Sequence, residues 1–400
     1  PADLKITLRK AYETSKSFKD KIDRDEMTKR LFRIALKLEG LPRHYSTHAA
    51  GIVMAKDPLK EAIPLLKIEN DLYSTAYTME ELPPLGLIKM DFLGLRNLSI
   101  IDRVSKDINK KKRFNIRHIP LDDPKTFDLI AKVNTLGVFQ LESGGMQNLI
   151  KRLRPQSFED IALTIALFRP GPMQNIPEYL ANRNDPERIN YLHPDLYPIL
   201  KETSGIIVYQ EQIMAIAQKM ASFSFGKADI MRRAMSKKKL EELSSLEDDF
   251  IEGCLKNGYE RKLAKQVYDL ILKFANYGFN KSHSIAYALI AYEEAYLKAN
   301  YPLYFYKALL NGAIGSTSLS ASYLNECQSI GIKILPPDIN LSENTYEVKD
   351  GKIVMPLSII KNIGSITASK IIEERNANGV FKDFISTISR LRNNEAKISN

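Results

Sequence analysis

The sequence predicts a mainly α-helical, multi-domain protein, and three observations support this. Its 400 residues suggest two or three domains with enough chain to bury real cores. Apolar residues recur at helical spacing between cap and stop signals, most clearly Ile285, Leu289, Tyr292 and Tyr296 ahead of Asn300 and Pro302. Two short runs, 52–54 and 87–92, read as strands beside glycines.

Composition narrows the function classes. The net charge of +10 and a pI near 9.2 favour an anionic partner. Lys110 to Arg117 holds five cations, and Lys227 to Lys239 holds six against the single acid Asp229. Cys254 and Cys327 make neither a disulfide framework nor a zinc site, and reduced cytosolic thiols are the simplest reading. No run approaches the roughly 18 apolar residues of a membrane span, and no signal peptide opens the chain. A cytoplasmic protein with no membrane partner is expected. Pro1 at the start and the polar stop at Ser399-Asn400 suggest a segment of something longer.

In chain order, residues 7–38 read as basic helices, with Phe18, Ile22, Leu31, Ile34, Ala35 and Leu38 at helical spacing. Asp23 and Asp25 are two apart on a helix, point away from each other, and cannot share an ion. Residues 40–51 form a turn, and Pro42 and Gly51 argue against a helix that would pair His44 with His48 on zinc. In the strand at 87–92, alternation sends Leu87, Lys89 and Asp91 to one face and Ile88, Met90 and Phe92 to a core face. Asp91 with Lys89 is either a solvated pair or a carboxylate placed to hold a divalent cation near a phosphorylated substrate.

Asn97 can cap a helix from Leu98 that runs to a basic loop at 110–113. Asp123-Pro124 opens the next helix. Gly144 and Gly145 after Ser143 allow either close approach to a ligand or a tight turn. Arg169 stands before a proline turn that fixes its backbone, and Tyr209 opens another helix. Arg232 and Arg233 diverge by about 100° on a helix, so only one can point straight at a given phosphate. Gly278 supplies a turn, and Ser282 or Ser284 can cap the helix behind it. That helix start favours an anion, with Lys281 adding charge, His283 a donor and Tyr287 a ring. Residues 334–340 read as a linker. Residues 360–372 resemble a helix-hairpin-helix in which Asn362 replaces the first glycine of the turn, a residue that tolerates positive φ.

Read together, these strings resemble the bacterial replicative DNA polymerase III alpha subunits, the C family of DNA polymerases. The likeness rests on Lys89-Met-Asp-Phe-Leu-Gly-Leu95, Val138-Phe-Gln-Leu-Glu-Ser-Gly-Gly-Met146, Arg169-Pro-Gly-Pro172, Arg232-Arg-Ala-Met235 and Tyr277-Gly-Phe-Asn-Lys-Ser-His-Ser-Ile-Ala-Tyr287. It runs through nearly the whole chain. The resemblance implies the end of a thumb at 1–46 and the end of a polymerase-beta-like α/β palm at 47–96. It implies large helical fingers at 97–340, then the start of a clamp-binding region with the helix-hairpin-helix at 341–400.

The activity implied is DNA-directed DNA polymerisation, adding deoxynucleotides to a primer 3′ end by two-metal phosphoryl transfer. Asp91 maps onto the third carboxylate of a triad that binds two magnesium ions, with Lys89 beside it as a catalytic residue. The paired aspartates that complete the triad do not occur in this sequence, so the isolated chain is expected to be inactive. Arg169, Arg232, Arg233, Lys281, His283 and Tyr287 map onto the incoming-nucleotide region, where Lys237 to Lys239 continue the positive surface. Lys110, Lys111, Lys112, Arg113, Lys361 and Lys370 are the expected DNA contacts. Primer-template DNA, deoxynucleoside triphosphates, a sliding clamp and other replisome subunits are the implied partners. A non-catalytic nucleic-acid-binding scaffold and a damage-tolerant repair polymerase of the same family are the alternatives.

Overall fold

The computed structural model describes residues 6–41, 47–48, 50–68, 72–92, 94–237, 240–275 and 278–393. His44, Tyr277, Lys238 and Lys239 lie outside these residues, as does the side chain of Lys237. The chain divides into two compact units, Pro1–Gly94 and Leu95–Asn400.

The first unit opens with the helices Leu8–Thr14, Lys16–Asp23 and Glu26–Leu38, capped by Thr7, Ser15 and Asp25. Asp25 therefore holds a helix start, while Asp23 accepts from Tyr12 Oη at 2.9 Å. Phe32 packs 5.2 Å from Tyr12 and 6.0 Å from Phe18. Leu31, Ile34 and Leu38 stay exposed, so this helical stripe faces water.

Strand Gly51–Met54 pairs antiparallel with Ile88–Asp91, which sets Gly51 opposite Asp91. The alternation holds, but the expected core face is the wrong one. Ile88, Met90 and Phe92 are exposed, whereas Leu87 is buried with Ile63 and Leu82. A two-stranded ladder covers only the face its neighbours pack on, and Leu59 and Leu65 add to the Leu87 side. A second hairpin joins Leu65–Lys67 to Tyr73–Thr75.

The second unit is helical around two large cores. One gathers the helices Gln210–Ala221, Phe225–Lys237, Leu240–Lys256 and Arg261–Ala275 about Phe250 and Tyr268. The other gathers Arg96–Asn109, Pro124–Ala131, Lys281–Asn300, Pro302–Ala313 and Thr317–Ser329 about Tyr292 and Phe305. Helix Phe158–Leu167 is buried at every position from Ile161 to Leu167 and feeds both cores, as an all-round apolar helix must.

Helix Lys281–Asn300 packs on Phe158–Leu167. Ala288, Ala291 and Ala295 are buried along it, small enough for close approach. Its N-cap is Asn280, which accepts from His283 N at 2.8 Å, rather than Ser282 or Ser284. Ser284 instead points inward and donates to the Ala162 carbonyl. Leu289, expected in the buried stripe, is exposed, and the stripe is carried by alanines with Tyr292. Helix Arg96–Asn109 has Leu95 at its cap position, and Asn97 is no cap but donates to Glu294 at 3.0 Å. Asp123 and Pro124 open their helix as read from the sequence.

Part of the expected linker is strand. Ile334–Leu335 pairs parallel with Lys352–Val354, which pairs antiparallel with Glu347–Lys349. Tyr346 and Ile353 of this region are buried in the second large core. The Pro336-Pro337 signal marks the true break, while the strand partner is too distant in sequence for a local pattern to reveal. The chain ends in helices Ser365–Asn378 and Phe384–Asn393 on a small core of Leu357, Ile371 and Phe381. Asn362 takes φ +72° in the turn before them.

Cys254 and Cys327 are free and buried, and burial pushes their thiols up to about 11 and about 12. Such thiols are poor nucleophiles. No described helix is long and apolar enough to cross a membrane.

Candidate functional site

Asp91 ends its strand with Lys89 on the same face, and Lys89 Nζ donates to Asp91 Oδ1 at 2.5 Å. That hydrogen bond holds the Asp91 carboxyl below the usual carboxylate range. His48 Nδ1 stands 3.7 Å from the same oxygen. A glycine floor lets these three side chains lie close over it. A Cβ on Gly51 would lie 2.8 Å from Lys89 Cε, 2.9 Å from His48 Nδ1 and 3.2 Å from Asp91 Oδ1. Spacing offers His48 only as a zinc partner of His44, and its place beside Asp91 follows from pairing across the ladder, which spacing does not show.

This arrangement gives an ionised carboxylate with one oxygen engaged by a lysine. It does not by itself fit a magnesium pair. Among the described residues no group of three or more His, Cys, Asp or Glu side chains is placed to hold a metal ion, and hard divalent cations take several oxygen ligands.

A second constellation forms where helix Lys281–Asn300 begins. Phe279 N donates to the Val208 carbonyl and Gln210 N to the Phe279 carbonyl, both at 2.9 Å, joining two helix starts. Gly278 permits this, since a Cβ there would stand 3.1 Å from Gln210 Cγ. Its role is close approach, and its φ is not positive. The Arg169 guanidinium lies 4.4 Å from the Phe279 ring centre. Phe279 meets His283 at 5.4 Å, His283 meets Tyr287 at 4.1 Å, and Tyr287 meets Phe139 at 5.1 Å. Three separate sequence segments thus contribute one file of a cation and four rings.

Glu294 fixes the far end of that file. Its carboxylate is fully buried and accepts from Phe139 N at 2.7 Å as well as from Asn97. Burial pushes its carboxyl up to about 7. Gly145 packs too, since a Cβ there would stand 2.6 Å from the Phe168 ring.

The remaining expected nucleotide residues are held by carboxylates. Lys281 Nζ reaches Glu202 at 2.7 Å, over the ring of Tyr209 at 5.5 Å, while its backbone N donates to Glu211 at 3.0 Å. Arg232 pairs with Asp229 at 2.7 Å and donates to Gln210 Oε1 at 3.1 Å, and Arg233 pairs with Asp229 at 2.8 Å. The arginines therefore share one anion rather than diverge. Asp229 lies three and four residues before them, and both positions neighbour it on a helix. Arg232 first, and Arg233 with it, holds the Asp229 carboxyl low. Gln210 links this pair to Phe279 and so to the ring file.

The expected DNA-binding cations are spread over two places. Lys110 pairs with Asp107 at 2.8 Å, Lys111 lies 5.8 Å over Tyr304, and Lys112 lies 4.7 Å over Tyr301. Arg113 is exposed at the end of the same run. Lys361 is exposed in the turn that contains Asn362, and Lys370 is half-buried on helix Ser365–Asn378.

Comparison with known proteins gives the family. Residues 1–94 match the bacterial DNA polymerase III alpha NTPase domain, and residues 97–258 match the bacterial DNA polymerase III alpha subunit finger domain. Residues 331–400 match a helix-hairpin-helix motif. The chain is 48% identical over 393 residues to the DNA polymerase III subunit alpha of Staphylococcus aureus strain NCTC 8325 / PS 47, covering 98% of this chain and 37% of that protein. The DNA polymerase III subunit alpha of Staphylococcus epidermidis strain ATCC 12228 / FDA PCI 1200 is 47% identical over the same share of each. The chain belongs to the bacterial DNA polymerase III alpha-subunit family. It spans 37% of the length of these relatives and matches an internal segment of them.

Proposed function

We propose that this chain is the part of a replicative DNA-directed DNA polymerase that contributes one catalytic carboxylate and binds the incoming nucleotide. The match to alpha subunits along almost the whole chain carries the reading. Asp91, held ionised by Lys89, would give one ligand to the two magnesium ions of the phosphoryl transfer, and the other ligands must come from carboxylates elsewhere in the longer protein.

Arg169, Arg232, Arg233, Lys281, His283 and Tyr287 receive the deoxynucleoside triphosphate. Their pairings favour this role. An exposed or half-exposed ion pair such as Lys281 with Glu202 contributes about 1 kcal/mol or less, whereas a charged hydrogen bond to phosphate contributes roughly 1.5–3 kcal/mol. A triphosphate can therefore take these cations from their carboxylates. Lys110 to Arg113, Lys361 and Lys370 hold primer-template DNA by its phosphates. A sliding clamp and other replisome subunits would be met through regions mostly outside this segment.

The test is Asp91→Asn in the full-length polymerase, measured by single-turnover primer extension and by DNA affinity. The substitution keeps shape and removes one negative ligand, so extension should slow by about a hundredfold or more while DNA affinity stays within about twofold. Near-normal extension would show that Asp91 is structural and would favour a scaffold role for this segment.

A further inference from the structure

The basic run at 110–113, read above as a contact to DNA phosphates, borders a cleft whose aromatic walls none of the roles above uses. Its volume is about 360 Å³, within the range of sites that take a small organic ligand. Arg113, Phe114, Asn115, His118, Tyr296 and Tyr301 line it. The cleft is firmly built. Asn109 accepts from Phe114 N and donates to the Phe114 carbonyl, both at 2.9 Å, which closes the loop and sets Arg113 at the rim. Phe114 meets Tyr301 edge-on at 5.4 Å, and Tyr296 lies 6.4 Å from Tyr301. Asn115 accepts from Arg117 N at 3.0 Å, which fixes the lip that carries His118.

The cations here differ in how they are committed. Lys110 is paired with Asp107 and Lys112 lies over the Tyr301 ring, while Arg113 has no ion-pair partner among the described residues. A guanidinium without a counter-charge beside three aromatic rings matches a ligand with both a flat π-face and an anion. A nucleotide has both. In duplex DNA the base faces are stacked away, so a wall of rings gains nothing from it, whereas an unpaired strand offers base and phosphate together.

Resting on the reading that this chain serves a DNA polymerase, we propose that the cleft of Arg113, Phe114, Tyr296 and Tyr301 takes one unpaired nucleotide of a DNA single strand. The base lies against the rings and the phosphate meets Arg113. The site would hold the strand away from the nucleotide-binding helix start.

Fluorescence anisotropy of the 400-residue chain with a labelled oligothymidylate tests this. Arg113→Ala should weaken binding about tenfold, from one lost charged contact to phosphate, and should lower the slope of log affinity against log salt by about 0.7, the value for one contact on a single strand. Tyr296→Leu, which keeps apolar bulk but removes the ring, should weaken binding at least about fivefold with the salt slope unchanged. Tyr296→Phe should restore it, which separates a lost ring from a disturbed fold. Lys132→Ala, which removes an exposed cation paired with Asp128 and given no role above, should change binding less than twofold.

Equal losses for Lys132→Ala and Arg113→Ala with no effect of Tyr296→Leu would overturn the proposal in favour of a diffuse positive surface. Free thymidine triphosphate competing as well as the strand would overturn the single-strand assignment. Binding of primer-template duplex without binding of the oligothymidylate would sink the cleft and leave the polymerase reading standing. Binding of neither would sink both.

Discussion

At the scale of single residues, Glu294 shows what a buried carboxylate does to this protein. It accepts from Phe139 N and Asn97 inside the second core, and burial raises its carboxyl from 4.5 to about 7. The folded protein therefore binds more protons than the unfolded chain between those pH values. The contribution of this group is complete below pH 4.5 and is lost as pH rises through about 7, a difference on the order of 3 kcal/mol. Glu293, half-buried and also raised to about 7, adds in the same direction. Glu294→Gln keeps an acceptor oxygen and removes the titration. Its melting temperature should fall less steeply than that of the unchanged chain between pH 5 and 7.5, with Glu293 leaving a residual slope. Calorimetry across that range checks it, and an unchanged profile would show that Glu294 does not titrate there. The sequence gives no hint of this residue, because Glu293 and Glu294 are adjacent and only packing decides which is buried. The Lys89 and Asp91 pair was legible, because strand alternation alone puts both on one face.

At the scale of elements, local signals read well where a cap or stop is chemically explicit. Asp123-Pro124 and the Asn300 stop are examples. They failed where a polar side chain serves tertiary structure. Asn97 bonds Glu294 and Ser284 bonds Ala162, so neither is free to cap. Alternation likewise cannot say which face of a two-stranded sheet is covered, which is why Ile88, Met90 and Phe92 were misplaced. The turn at Asn362 is the clearest success, since the substitution for glycine falls on a residue with φ +72°. An alanine there meets the left-handed penalty without the local hydrogen bonding that asparagine can offer. Asn362→Ala should cost roughly 1 kcal/mol in urea unfolding, and Asn362→Gly should stay within a few tenths of that of the natural residue. Equal stability of the alanine and asparagine forms would mean that the turn relaxes to another backbone conformation.

At the scale of the whole molecule, the two units differ sharply in what holds them. Residues 95–400 carry two large apolar cores with buried Tyr268, Phe250, Tyr292 and Phe305 at their centres. Among the described residues of 1–94 the buried apolar side chains form one cluster of Ile63, Leu82 and Leu87, and the three opening helices bury nothing fully. Each of those aliphatic side chains contributes roughly 1.5–3 kcal/mol, too little to offset the ordering of a unit that long. The first unit should therefore melt at lower temperature and over a broader range than the second. A fragment of residues 95–400 should keep one cooperative transition within about 2 °C of the main transition of the full chain. A fragment of residues 1–94 should show helical circular dichroism that declines gradually on heating. Calorimetry of both fragments decides the matter: a sharp, high-temperature transition from residues 1–94 would mean that its stability comes from contacts the buried cluster does not account for.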